Sequence, residues 1–499
     1  MQDATTSARC LAILTRDESS SLRVALWPVV MQIVRCIRDF RRQGQSPLAM
    51  REFELQLADL LREVGRRIVQ STLQQLEPAD RVGMPMELIH EGVYYRRRWL
   101  SRARNLNCLF GPIELRRYLY QPIEISGRSF FPLEWRLGIF AGVATPALAD
   151  LVGRLAADMT QRQVLTALGQ RCGIAWGPAT LRKVVAAVAQ AMGPHRHAAQ
   201  LQALLGWLKT ASESGGRFTL SVGRDGCMLP IRKCLSYREG AAATISVLDR
   251  WGKRLGTVYL GRMPEAGQGT LSAELTALLT DVLTQWTGKL PRLVYVTDCG
   301  SHPTEYFKQV LAKMTHPLKP DVLLTWEWVA DYYHACLYIT KLAEAIFGPT
   351  RAAWAWAAKQ RRVLKTKPNG VFRVLRSAGA HRAIRGLIGK ETDYDSAYAY
   401  LRQRVGTMGY AELLRRCLPI GSGVTEAACK ILFTQRMKQS GMKWTIAGGE
   451  PILTLRTILL SGVWTATILR TLQATVIPQS PTRNIRQQLL DEKPSEIAA

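Results

Sequence analysis

Three acidic residues stand out by their context. Asp225 follows an apolar run in Phe218-Thr219-Leu220-Ser221-Val222-Gly223-Arg224-Asp225-Gly226, and Asp298 closes the run Leu293-Val294-Tyr295-Val296-Thr297. Glu426 opens a helical stretch after Gly421-Ser422-Gly423-Val424-Thr425, and between Ile420 and Trp444 it is the only carboxylate, beside Lys430, Arg436, Lys438 and Lys443. Carboxylates at two strand ends and one on a later helix can converge at one sheet edge. There, hard oxygen ligands hold two Mg²⁺ ions for in-line displacement at phosphorus, one activating the nucleophile and the other stabilising the leaving oxygen. Each acid also has an ordinary reading. Asp225-Gly226 is a hairpin turn signal, Asp298 can cap the next helix, and Glu426 can stabilise its own helix start and pair with Lys430 one turn on.

The elements that would position these groups follow from periodicity. Phe218 to Val222, Ala243 to Leu248 and Leu255 to Leu260 read as short strands, with Asp225 at the end of the first. Leu271 to Trp286 reads as a helix, Leu293 to Val296 as a buried strand, Thr304 to Met314 as a helix and Val322 to Trp328 as a strand. Together they describe a mixed α/β sheet. Residues 331 to 416 are predominantly helical in pattern, and helices resume from Thr425. Upstream, residues 147 to 192 read as amphipathic helices. Thr160-Gln161-Arg162-Gln163 caps one, Gly173 breaks it, and Gly177-Pro178 opens another at Leu181-Arg182-Lys183. That is the layout of a helix-turn-helix, with Arg182 and Lys183 placed for DNA, although most helical hairpins bind nothing. Ser212 to Gly216 reads as a linker.

The chain has 499 residues, with 67 Lys and Arg against 39 Asp and Glu, a net charge of +28. A mean hydropathy near zero places that charge on a foldable chain rather than a basic tail, which points to a polyanion partner. Ten scattered cysteines form no C-x-x-C pair, so they read as reduced thiols rather than zinc ligands. The apolar stretch Val24 to Val34 is half a membrane span and carries Pro28 and Gln32, so a membrane is not the expected polyanion. The charge is concentrated in two places. Gly92 to Arg117 holds seven Arg, among them Arg96, Arg97 and Arg98, against one acid; it reads as a DNA-contacting hairpin or as the solvated edge of a small sheet. Lys341 to Cys417 holds 16 Lys and Arg against five acids, a net +11 that includes Lys359, Arg361 and Arg362.

At this point the chain resembles the DDE insertion-sequence transposases of the ISKra group. The motifs are Val294-Tyr295-Val296-Thr297-Asp298-Cys299-Gly300, Val329-Ala330-Asp331-Tyr332-Tyr333-His334-Ala335-Cys336, and Gly421 to Lys430 continuing through Arg436-Met437-Lys438-Gln439-Ser440-Gly441-Met442-Lys443-Trp444. Phe110 to Ile113 and Phe131 to Glu134 also look like that family, so the resemblance spans about residues 50 to 465. It implies an RNase H-like core carrying Asp225, Asp298 and Glu426 as a catalytic triad, interrupted by an all-helical insertion and preceded by a mostly helical DNA-binding region. Asp331 and His334 look like the C/D-x-x-H signature of related transposases, or His334 simply packs that insertion. Trp444 would stack on an unpaired base or lie in the core. The cysteine pair many relatives carry near residues 120 to 128 is missing, so a zinc-stabilised hairpin is not expected.

The implied organisation is a poorly specified segment 1–46, an N-terminal DNA-binding region 47–211, core segments 217–340 and 418–470 around the insertion 341–417, and a disordered tail 478–499. The implied activity is Mg²⁺-dependent cleavage and strand transfer, with Mn²⁺ as a substitute, on double-stranded DNA bearing terminal inverted repeats and on target DNA. It would be carried out by a homodimer or larger homo-oligomer in the bacterial cytoplasm, at the nucleoid. A nuclease without strand transfer, or a catalytically silent DNA-binding descendant, would share most of these features.

Overall fold

The computed structural model describes residues 16–43, 46–77, 85–90, 92–123, 128–129, 131–232 and 237–474, so the expected tail 478–499 lies outside the described residues. The chain divides into two compact units, Met1–Ala191 with Ile468–Ala499, and Met192–Thr467. Among the described residues no single helix is long and apolar enough to cross a membrane.

In the first unit, a segment expected to be poorly specified is largely helical. Helix Arg16–Arg42 runs antiparallel to helix Pro47–Gln75, with Phe40 stacked on Phe53 at 4.5 Å and Arg67 donating to the Ala25 carbonyl at 2.8 Å. Val29 and Cys36, seven residues apart and so on one helical face, are buried, and Pro28 is accommodated inside the helix. The Arg-rich stretch forms an antiparallel sheet of β1 (Glu87–His90), β2 (Val93–Cys108) and β3 (Gly111–Pro122). Residues alternate in and out over the first half of β3, so Ile113 and Leu115 are buried; the phase changes at Arg117 and Tyr118, and Tyr120 is buried on the other side of that change. Arg117 is buried too. Its Nε donates to Glu134 at 2.6 Å and its guanidinium lies 3.7 Å from the Phe131 ring centroid, so one of the seven arginines is a core residue. The side chains of Gln70 and Gln74 accept from the Glu114 and Arg116 amides, satisfying the open edge of β3. Helices Pro146–Asp158 and Gln161–Cys172 follow. The latter starts on the expected capping box of Thr160 with Gln163 and ends at Gly173 with φ 64°. Helix Pro178–Glu213 begins at the expected proline.

The second unit is built on a five-stranded sheet in the order β10-β7-β4-β5-β6. β4 (Thr219–Leu229), β5 (Arg238–Leu248) and β6 (Arg254–Arg262) form an antiparallel meander, while β7 (Arg292–Thr297) and β10 (Trp326–Ala330) add parallel to β4. Side chains of β7 alternate between two cores. Leu293 and Tyr295 face the helix Gly269–Gln285, and Val294 and Val296 face the helices that follow β10. Those helices are Tyr332–Phe347, Arg351–Thr366, Gly370–Arg385, Glu391–Gln403 and Tyr410–Arg415.

Three expectations about elements are corrected. The strand expected over Val322 to Trp328 is two strands, since β9 (Lys319–Leu323) pairs back on β8 (Thr315–His316) before β10 begins. The helix expected over Thr304 to Met314 runs from Ser301 to Gln309 and tightens into a single 3₁₀ turn. Asp225 does not end a strand or make a turn, because β4 continues through it to Leu229, with Asp225 opposite Ala242 and Gly226 opposite Ala241.

Candidate functional site

The parallel register brings two of the three acids together. Gly223 on β4 pairs with Val296 on β7, so Asp225 and Asp298 each lie two residues further on, on adjacent strands whose backbones are about 5 Å apart. On the other side of β7, Ala330 of β10 pairs with Thr297, which places Asp331 beside Asp298. Three neighbouring parallel strands therefore each deliver an aspartate to one edge, Asp298 and Asp331 just past the carboxyl ends of β7 and β10 and Asp225 level with them inside the longer β4, at the side where open α/β sheets bind ligands.

The third acid is positioned by a close approach of helix to strand. Helix Gly423–Cys429 packs on β4 where Thr425, only 2% exposed, shares a 2.8 Å hydrogen bond with Thr244. A Cβ at Gly223 would lie 2.0 Å from the Thr425 hydroxyl oxygen and 3.2 Å from the Val296 carbonyl, so only glycine admits the helix at this depth. Glu426, the next residue, stands exposed beside the sheet edge.

Asp225 feels the assembled charge. Burial pushes its carboxyl up to about 6; the negative charges of Asp298 and Glu426 add to the rise, while the Gly226 amide at 2.7 Å and the Cys429 thiol, both donating to it, oppose it. Asp298 is held in a tight turn. Its Oδ1 accepts from the Gly300 amide at 2.9 Å, and Cys299 adopts a left-handed φ of 62°. Tyr400 donates to the Asp298 carbonyl at 3.1 Å, and Arg404, stacked on the Tyr400 ring, donates to the Cys299 carbonyl at 3.2 Å. Burial raises the Cys299 thiol to about 11, so it is not a reactive nucleophile.

Asp331 and His334 have supporting positions. Asp331, 3% exposed, caps helix Tyr332–Phe347 by accepting from the His334 amide at 2.8 Å, and its other oxygen accepts from the amide and hydroxyl of Ser422. It thereby ties the helix to the loop that launches Glu426. The His334 ring packs edge-on to Tyr338 and tilted to Tyr400.

A cleft of about 250 Å³ opens at this edge, and its lining includes Asp225, Asp298, Gln268, Ser301 and His302. It also includes Glu239, a carboxylate not singled out from the sequence. Glu239 is the second residue of β5, and its Oε1 occupies the space beside Gly226, where a Cβ would lie only 2.0 Å away. Its Oε2 accepts from Gln268, whose own carbonyl oxygen accepts from the buried Arg224. Nothing local in the sequence signals it: the β4–β5 register, set by tertiary pairing, puts Glu239 opposite Met228, two positions from the residue that faces Gly226. Glu426 is not part of the cleft lining.

No known family profile matches this chain, and no curated protein matches it.

The carboxylates are oxygen donors of the kind Mg²⁺ takes. Among the described residues, however, no three His, Cys, Asp or Glu side chains lie close enough together to hold an ion, so the acids share an edge without closing into a coordination sphere. Of the expected DNA contacts in this unit, Lys359, Arg362, Lys430, Lys438 and Lys443 are exposed. Arg361 is half-buried and donates to Thr340. Arg436 is 1% exposed and lies over the Trp444 ring, whose Nε1 donates to the Met437 carbonyl at 2.8 Å; both are packing residues rather than a presented cation and a free stacking platform. In the first unit Arg182 and Lys183 are exposed, Arg96 pairs with Glu87 at 3.0 Å, Arg98 donates to Gln121, and Arg97 lies over the Tyr118 ring.

Proposed function

We propose that this chain is a DDE-type transposase with an RNase H-like core, binding the terminal inverted repeats of a bacterial insertion sequence and catalysing DNA cleavage and strand transfer at the edge formed by Asp225, Asp298 and Glu426. The observation that carries this reading is the register: two aspartates placed side by side by parallel pairing, with a glutamate helix seated on Gly223 against them. The order of three antiparallel and two parallel strands, followed by a helical segment before the glutamate helix, supports the RNase H-like assignment with its insertion.

Cleavage by water breaks a phosphodiester bond to leave a terminal phosphate and a free 3′ hydroxyl, and strand transfer by that 3′ hydroxyl exchanges one phosphodiester bond for another. A water or a DNA 3′ hydroxyl adds to phosphorus in line with the departing oxygen, loses a proton, and the leaving oxygen gains one. Mg²⁺, with Mn²⁺ as a substitute, is the proposed cofactor and would supply Lewis-acid activation of the phosphate. The chain's own residues set the geometry: the Tyr400 and Arg404 contacts fix the Asp298 turn, the Asp331–Ser422 contact fixes the start of the Glu426 helix, and burial pushes the Asp225 carboxyl up to about 6. The helix pair Gln161–Cys172, capped at Thr160, and Pro178–Glu213, with Arg182 and Lys183 exposed, is proposed as the helix-turn-helix that reads the transposon ends. Pairing two ends implies a homodimer or larger assembly, acting on DNA in the bacterial cytoplasm.

A second reading, a DNA-binding descendant without activity, is favoured by the open spacing of the acids. The two are separated by incubating purified protein with inverted-repeat DNA and Mg²⁺. The transposase reading expects cleavage and joined products that Asp298→Asn abolishes, cleavage without joining identifies a nuclease, and binding alone identifies the silent form.

A further inference from the structure

Helix Arg351–Thr366 contains the triplet Trp354-Ala355-Trp356. Two residues two apart on a helix point about 200° apart, so one indole must leave the core when the other enters it. Trp356 enters, 7% exposed, with its Nε1 donating to Ser377 at 3.1 Å. Trp354 is 77% exposed. An indole so open to water forfeits burial of a large apolar surface, which on a soluble face marks an interaction site.

The surroundings select the occupant. Arg351, Ala355, Ala358 and Arg362 are exposed and recur with Trp354 at three- and four-residue steps, a stripe of cations and small residues. One turn beyond Trp354 on that face stands Ala358, a methyl that does not roof the ring. The helix carries five Lys or Arg and no acid, within a segment of net charge +11. Cations flanking an open aromatic face are complementary to a phosphate backbone with an accessible base.

We propose that Trp354, flanked by Arg351 and Arg362, is a base-stacking platform for single-stranded or unpaired DNA. The proposal rests on the DNA-binding part of the function above and is independent of the carboxylates.

The test is fluorescence anisotropy of the full chain without divalent metal, on a labelled single strand and the matching duplex, across a salt series. Stacking on one base is worth ~1–3 kcal/mol, so Trp354→Ala is expected to weaken single-strand binding about tenfold, with the salt slope unchanged and duplex binding little affected. Trp354→Phe keeps most of the affinity, while Arg351→Gln with Arg362→Gln flattens the single-strand salt slope by about 1.4, near 0.7 per lost phosphate contact. Unchanged melting temperatures establish that the variants fold. Wild-type affinity of Trp354→Ala for the single strand overturns the proposal. So does an equal loss on both DNA forms, or Trp354-dependent binding to vesicles of anionic phospholipid in place of DNA. Cleavage surviving in Asp298→Asn would overturn the active-site reading and leave this one standing.

Discussion

At the carboxyl edge of the parallel strands each functional side chain is held from behind, whereas on the outer face of helix Arg351–Thr366 Arg351, Trp354 and Arg362 are exposed. Asp298 has Tyr400 and Arg404 on its turn, the Glu426 helix has Gly223 beneath it and Asp331 at its start, and Glu239 has Gln268 and Arg224 behind it. The difference teaches where substitutions propagate. Changes at the edge should be coupled and non-additive, because neighbours share partners, while changes along the helix should act separately and read out as salt dependence or stacking.

The largest expected effect lies at the edge. Asp298→Ala should reduce cleavage about 10³-fold or more, the rate equivalent of several kcal/mol of transition-state stabilisation, while DNA affinity stays within about threefold. Anisotropy and a cleavage assay on the same preparation measure both, and a parallel fall in affinity would dissolve the contrast between the two regions.

Next is coupling through the glycine. Gly223→Ala should cost about 1–3 kcal/mol by overpacking against Thr425, lower the melting temperature and depress cleavage by displacing the Glu426 helix. Adding Thr425→Ala should restore part of both. Additive losses in the double variant would mean that the helix is not seated as described.

The pH dependence follows from Asp225. Its folded carboxyl is raised to about 6 from an ordinary 3.8, so the folded state binds the extra proton and stability falls as pH rises through that window, by an amount on the order of 3 kcal/mol. Asp225→Asn should therefore flatten urea midpoints between pH 4 and about 6, although it removes activity. Cleavage by the wild type should rise as pH passes about 6. A midpoint series identical in both proteins would contradict the burial of Asp225 and its nearness to Asp298 and Glu426.

The smallest effects distinguish neighbouring cations. Neutralising exposed Lys359 and Arg362 should flatten the salt slope for duplex DNA by about 1.8, near 0.9 per phosphate, whereas Arg361→Gln, whose guanidinium is engaged with Thr340, should lower stability and leave the slope alone.

What the sequence revealed depended on how local the determining contacts are. The capping box at Thr160, the stop at Gly173 and the buried run of β7 are decided by residues a few positions apart, and they stand where periodicity and capping put them. Asp225-Gly226 misleads because its glycine serves a distant partner: it makes room for the Glu239 carboxylate across the strand pair rather than a turn, so β4 continues. Glu239 was invisible for the same reason. Arg436 and Arg117 look like surface cations by type, yet tertiary packing over Trp444 and Phe131 buries them. Helix Arg16–Arg42 was obscured by Pro28, and its buried face exists only against helix Pro47–Gln75. The proximity of Asp225 and Asp298 needed the parallel register, which no spacing of 73 residues specifies.

The most direct test is strand cleavage and joining of inverted-repeat DNA in Mg²⁺ by purified wild-type protein and Asp298→Asn side by side. The account predicts cleaved and joined products from the wild type and neither from the variant, at matched DNA binding. Full cleavage by Asp298→Asn would contradict it.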